Sequence, residues 1–359
     1  MRTSLLSILF VLVILVSSTL ASTSLSINNS VVISPNVGLW FDYAVFIIME
    51  NHHINYTYGI SVSPNSWNSS KGGTCLGNCT YFTGLANNQS LSLGHESNQI
   101  GGSIWDYIAL TSGHDNTDPI SGCNDGPTAS PTGKTPCSQF TDLNLVDLFE
   151  RRGLSWKAYM ENYPIVQGCP SNLNDFSNHY GPNHNPFIYY QDVTNNTARC
   201  NKIVRANEMS VSQPDPCATN PTPTDNVLLA DLTPALASNF MFLTPNFIDD
   251  IHDCNDVSVG NAWLSRIVPQ ILASPLFTTK KAALFISFDE PGCTSPGCPP
   301  RVIPGDQVYT VWAGNARQNY KSATPYTAFS PLRTLEKNWN LSTLDATTDG
   351  KAVAMSEFF

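Results

Sequence analysis

The clearest pattern in the chain is an apolar run that stops abruptly on polar chemistry. Residues 44–49 read Ala-Val-Phe-Ile-Ile-Met, and Glu50, Asn51, His52 and His53 follow at once. An uninterrupted run of that length predicts a strand, Tyr43–Met49, buried on both faces, and α/β sheets build their sites at the carboxyl edge of such strands. The pattern recurs at Ala282–Phe288, which ends in Asp289-Glu290. An acid after a strand also serves as a helix cap or a solvated loop residue. Two buried strands that each end in carboxylates point instead to a divalent metal ion held between them.

The segments between these strands alternate in period. Further strands are predicted over residues 154–160, closing on Glu161-Asn162, over 239–244, closed by Pro245-Asn246, and over 307–313. Helical spacing is predicted over residues 81–87, 141–152, 257–272 and 329–339. Gly153 supplies the stop between a helix and the strand after it. This is the grammar of an α/β fold with a mostly parallel central sheet flanked by helices. Gly101-Gly102-Ser103 opens another helix-like run. Ser103 there is either an N-cap or part of a helix N-terminus whose free N–H groups hold an anion. After the 239–244 strand, Asp249-Asp250-Ile251-His252-Asp253 brings acids and an imidazole to the same sheet edge. His179 and His184 lie in a loop ahead of the aromatic run 187–190.

Composition narrows the class. The 359 residues carry 42% hydrophobic and only 13% charged side chains, with net charge −10. No Lys/Arg cluster interrupts the acidic balance, which argues against a nucleic-acid partner. An apolar run from Leu5 to Val16, then Ser17-Ser18-Thr19-Leu20-Ala21, reads as a secretory signal over residues 1–21, too short for a membrane span. Residues 22–359 are then expected to form a single domain outside the cell or on its surface, with no integral membrane segment after cleavage. Ten cysteines fit an oxidising compartment. Their spacings suggest Cys75 with Cys79, Cys123 with Cys137, Cys200 with Cys217, Cys293 with Cys298 and a longer Cys169–Cys254 link, as staples for loop excursions; spacing alone does not fix connectivity. Sequons at Asn28, Asn55, Asn68, Asn78, Asn88, Asn195 and Asn340 predict N-linked glycans.

Several short motifs stand in a familiar order: Glu50-Asn51-His52, Ser103 to Gly113, Ser155 to Glu161, His184-Asn185-Pro186-Phe187, Thr244-Pro245-Asn246 with His252-Asp253-Cys254, Phe288-Asp289-Glu290, and Ser330 to Glu336. From Phe41 to about Leu344 the chain resembles the secreted phosphoesterase family of acid phosphatases and bacterial phospholipases C, a branch of the alkaline phosphatase superfamily. The resemblance implies an alkaline phosphatase-like fold. It also implies a divalent metal bound by Glu50, Asn51, Ser103, Asp289 and Glu290, with Ser103 as nucleophile and His184 and His252 near the phosphoryl group. The family has a His two residues before its nucleophile and Pro-Asn two and three residues after it. Here those positions are Gly101, Trp105 and Asp106. The departure bears on activation and on substrate class, and His95 is a nearby imidazole in sequence.

The expected function is hydrolysis of phosphomonoesters through a metal-activated serine. A phospholipase C or other phosphodiesterase is the close alternative, with Trp105 and residues 187–190 lining an apolar leaving-group pocket. A catalytically inactive surface glycoprotein is the third reading. The implied partner is a small phosphate ester or a phospholipid.

Overall fold

A computed structural model describes residues 37–58, 79–97, 103–115, 140–165, 168–169, 175–207, 225–253, 257–291 and 307–359. In chain order they form β1 (Tyr43–Met49), α1 (Ile54–Thr57), α2 (Thr80–Asn88), β2 (Ser90–Ser92), β3 (His95–Glu96), α3 (Ser103–Ser112), α4 (Leu145–Arg152) and β4 (Trp156–Met160). Then come α5 (Gln191–Thr194), α6 (Thr197–Cys200), β5 (Ile203–Arg205), α7 (Asn226–Asp231), β6 (Phe240–Thr244), α8 (Val257–Leu272) and α9 (Pro275–Thr279). The series closes with β7 (Ala282–Phe288), β8 (Thr310–Gly314), β9 (Tyr320–Ser322), β10 (Tyr326–Thr327) and α10 (Ser330–Trp339). The chain divides into two units, Met1–Ile33 and Ser34–Phe359. The first unit, with the expected signal segment, lies outside the described residues. No helix among the described residues is long and apolar enough to cross a membrane.

The main sheet has the order β5-β4-β6-β1-β7-β8-β2-β9. Its first five strands are mutually parallel, and β8 runs antiparallel to β7 and β2. The mostly parallel α/β sheet expected from the sequence is therefore present. Continuous apolar strands follow from burial on both faces. Phe46, Phe240, Phe242, Phe285 and Trp312 face one core, with residues of α3, α4 and α10. Val45, Ile47, Met241, Leu243, Leu284 and Ile286 face the other, with residues of α2 and α8. Phe46 is the hinge pin of the first core, its ring centroid 4.5 Å from Phe285 and 5.2 Å from Phe240.

Register decides what happens at the carboxyl edge. β1 and β7 pair in parallel from Tyr43 opposite Ala282 to Met49 opposite Phe288. Their next residues, Glu50 and Asp289, therefore emerge side by side. The pairing continues one step further, where Asp289 N donates to Met49 O at 2.9 Å.

Some expectations are corrected. The helix expected from residue 141 starts at Leu145, because Asn144 closes a capping box: its Oδ1 accepts from Val146 N at 2.9 Å, and Asp147 Oδ2 accepts from Asn144 N at 3.1 Å. Leu143 lies outside that helix and is exposed. Cys169 bonds Cys200, so neither Cys200–Cys217 nor Cys169–Cys254 forms. The reason is strand order. β5 pairs with β4, and Arg205 Nε donates to Tyr163 O at 2.5 Å, which draws the segment before β5 beside the segment after β4. Cys79 is disulfide-bonded. The remaining expected pairings involve residues outside the described ones. The sequon residues Asn88, Asn195 and Asn340 are exposed.

Candidate active site

Glu50 stands at the centre of the carboxyl edge, fully buried. α3 points its first turns at it. Ser103, the first residue of α3, donates from Oγ to Glu50 Oε2 at 2.9 Å, and Tyr107, one turn later on the same face, donates from its hydroxyl to Oε1 at 3.0 Å. Asn51 has φ +59°, a left-handed conformation that Asn tolerates better than most residues. That turn lets Asn51 Nδ2 donate to Glu50 Oε2 at 3.1 Å while Asn51 N donates to Asp289 Oδ1 at 3.0 Å. Glu290 N also donates to Asp289 Oδ1, at 2.6 Å, and the Glu290 side chain is buried. Glu50, Asn51, Ser103 and Asp289, all expected as metal ligands, thus share one hydrogen-bonded cluster, with Glu290 beside them in the chain.

Both expected histidines reach the same place. His184 ends a 3₁₀ turn, Pro182–His184, and Thr244 Oγ1 at the end of β6 donates to its carbonyl at 3.1 Å. Its Nε2 lies 3.0 Å from Glu50 Oε1 and its Nδ1 3.0 Å from Asp250 Oδ2. The ring stacks on Tyr107 with centroids 5.5 Å apart. The ring of His252 lies 5.3 Å from that of His184, and its Nδ1 is 2.8 Å from Asp253 Oδ1. Glu50, His184 and His252 offer ligand atoms that all lie within 4.8 Å of one another.

The sequence matches the Phosphoesterase family over residues 51–342. The chain belongs to that family. Among curated relatives, it is 27% identical over 209 residues to an acid phosphatase of Aspergillus niger, covering 56% of this chain and 42% of that protein. It is 28% identical over 206 residues to a phosphate-repressible acid phosphatase of Penicillium chrysogenum, covering 56% and 43%. The match therefore spans less than half the length of these relatives. Among solved structures, a protein of the alkaline phosphatase superfamily from Vibrio parahaemolyticus matches with TM-score 0.49 and 11% identity, over 82% of this chain and 65% of that one.

In this member of the phosphoesterases, charge is crowded at the cluster. Burial, then the charges of Asp289 and Asp250, pushes the Glu50 carboxyl well above its usual range. Burial likewise raises Asp250 and Asp289. Burial, then the neighbouring His252, pushes His184 well below the ordinary imidazole value. In the protein by itself, both shifts disfavour a charged Glu50–His184 pair, whose Oε1 and Nε2 atoms lie 3.0 Å apart. A cation inverts that logic by holding the carboxylates ionised. The residues present fit such an ion. The buried Oδ2 of Asp289 has no hydrogen-bond partner, and an oxygen-rich donor set suits a hard or borderline divalent metal.

Asp250 and Tyr107 are absent from the site residues expected from sequence. Their signals were the acidic pair ahead of His252 and the one-turn spacing from Ser103. Of the adjacent acids only Asp250 meets His184; Asp249 Oδ2 accepts from Asn246 Nδ2 at 3.0 Å. The sequence expects Trp105 and residues 187–190 to line an apolar leaving-group pocket. All of these side chains are buried in the core, because α3 and the turn Pro186–Tyr189 pack their rings against the sheet. The ring that touches the imidazoles is Phe247, stacked on His252 and edge-on to His184, each at 4.6 Å. His95 is committed elsewhere. Its Nδ1 lies 2.6 Å from Thr310 Oγ1 and its Nε2 3.1 Å from Thr327 O, and burial lowers its pKa to about 4.

Proposed function

We propose that the chain is a secreted, acid phosphatase-like phosphomonoesterase that depends on a divalent metal and uses Ser103 as nucleophile. The observation that carries this reading is the Ser103 Oγ–Glu50 Oε2 hydrogen bond inside a cluster of buried carboxylates. The acid phosphatase relatives support the substrate class, and the signal-like pattern of residues 1–21 supports export.

Phosphoryl transfer is a matter of positioning and of stabilising charge on the non-bridging oxygens. Glu50, Asn51, Ser103, Asp289 and Glu290 would hold the metal. When bound, it supplies Lewis-acid polarisation of a phosphoryl oxygen and lowers the pKa of a coordinated hydroxyl. The Ser103 Oγ–H donates to Glu50 Oε2, which orients the hydroxyl and gives its proton an acceptor. As the Ser103 Oγ–P bond forms, its hydroxyl proton passes to Glu50 Oε2 and the bond from phosphorus to the ester oxygen breaks. His252, the half-buried imidazole of the pair, delivers a proton to the departing alcohol. His184, fixed by Asp250 and stacked on Tyr107, faces the phosphoryl group from the buried side. A water then attacks the phosphoserine and gives a proton to His252, the Oγ–P bond breaks, and Glu50 returns the proton to Ser103 Oγ as phosphate leaves.

Ser103→Ala tests the assignment. Turnover of p-nitrophenyl phosphate is expected to fall to background while bound metal and far-UV circular dichroism stay at wild-type values. Substantial residual turnover would reject Ser103 as the nucleophile. A phosphocholine lipid assayed in parallel separates monoester from diester hydrolysis, with the monoester expected to be preferred.

A further inference from the structure

The loop after β6 carries an uncommon backbone conformation. Ile251 has φ +78°, in the left-handed region that β-branched side chains disfavour. Such strain persists only where surrounding structure holds it. Here the Ile251 side chain is buried and seats on α8 at Gly260. A Cβ at Gly260 would lie 2.5 Å from Ile251 Cδ1 and Cγ1 and 3.0 Å from Met49 Cε. The missing side chain at 260 is what makes room for the isoleucine. Met49, the third member of this contact, immediately precedes Glu50.

The turn at Ile251 organises the residues on either side of it. Asp250 Oδ1 accepts from His252 N at 2.7 Å, closing an Asx-type turn around the strained residue. The other carboxylate oxygen of Asp250 meets His184 Nδ1 at 3.0 Å, and its carbonyl accepts from Glu50 N at 2.9 Å. Asp250 is therefore tied to Glu50, His184 and His252 together. The Ile251 side chain packs in the hydrophobic core and anchors the turn.

We propose that Ile251, seated against Gly260, is a positioning residue that sets Asp250 and His252 around Glu50. The proposal rests on the phosphoesterase reading of the site. The test combines steady-state kinetics on p-nitrophenyl phosphate with NMR of the Nδ1–H proton that joins His184 to Asp250. Ile251→Gly frees the backbone from strain and removes the anchor. We expect kcat to fall at least about tenfold with KM changed less than about threefold, cooperative unfolding retained, and the Nδ1–H resonance broadened or lost. Gly260→Ala, which fills the socket without altering any residue of the turn, should give the same split. Ile251→Leu refills the socket without β-branching and should restore most of the turnover and the resonance. The proposal is overturned if Ile251→Gly keeps both kcat and the resonance, or if Ile251→Leu is as impaired as Ile251→Gly. If the wild-type protein hydrolyses no phosphate ester, the reading of the site fails, and the resonance still decides whether Ile251 holds the Asp250–His184 contact.

Discussion

Ser103 Oγ and Glu50 Oε2 share a 2.9 Å hydrogen bond across 53 residues of sequence. Neither residue is placed by its own neighbours alone. Glu50 is delivered by the register of β1 against β7, and Ser103 by the first turn of α3, so each residue's chemistry depends on an element remote from it in the chain. The same holds for the contacts of the Glu50 carboxyl with Tyr107 and His184, whereas those of Glu50 with Asn51 and His52 are local.

The carboxylate cluster trades stability for binding. Burial raises both Asp289 and Glu50, and the Asp289 charge raises Glu50 further, so removing one charge should relieve the metal-free protein. Asp289→Asn is expected to lose bound metal and at least about 100-fold in turnover, the scale of a lost charge-stabilising group. Its metal-free melting temperature should equal or exceed that of metal-free wild type. Elemental analysis with calorimetry after chelation checks both; an unchanged metal content would remove Asp289 from the ligands.

Asp250 should behave as an orienting group for His184. Asp250→Asn keeps the shape but replaces the carboxylate that meets His184 Nδ1. A fall in kcat of roughly 100-fold or more, in the range of general acid–base contributions, is expected with metal content retained. Metal loss in this variant would instead place Asp250 among the ligands.

A pH-dependent stability effect is expected away from the site. Burial raises the pKa of Asp225 to about 7, against about 3.9 in an unfolded chain. The folded protein binds the proton more tightly, so this group's contribution is fully present below about pH 4 and is lost as pH rises through 7. Asp225→Asn should match wild type at pH 4 and exceed it at pH 8 by up to about 4 kcal/mol. Urea unfolding of both proteins at the two pH values measures the difference; an equal difference at both pH values would contradict it.

The start of α4 depends on one amide. Asn144 is buried, caps the helix and also donates from Nδ2 to Asp192 Oδ1 at 3.1 Å. Asn144→Ala should cost about 1–2 kcal/mol in chemical denaturation, with turnover unchanged. A cost near zero would mean that the capping box contributes nothing.

Much of this architecture was readable along the chain. β1, β7 and α8 appear with the expected bounds, because long apolar runs and a sustained helical period leave few alternatives to burial. The residues that end β1 and β7 were readable as site candidates for the same reason. Less readable were Asp250 and Tyr107, whose partners come from other elements, and the Cys169–Cys200 bridge, which follows strand order rather than spacing. The aromatic run 187–190 carried no mark to distinguish a core from a pocket.

Two strands end in the same three residues, Met49-Glu50-Asn51 and Met160-Glu161-Asn162, and both asparagines are left-handed, with φ +59° and +56°. By itself the sequence determined that each glutamate would be buried at a strand end, because an unbroken apolar run must be covered on both faces. Only the tertiary structure decided which one joins the candidate site. Glu161 accepts from Asn246 N and Nδ2 and from Trp263 Nε1, and its acidic neighbour is Asp225 rather than a residue of β7. Glu50 meets another carboxylate, a hydroxyl and an imidazole, because the register of β1 against β7 sets Asp289 beside it.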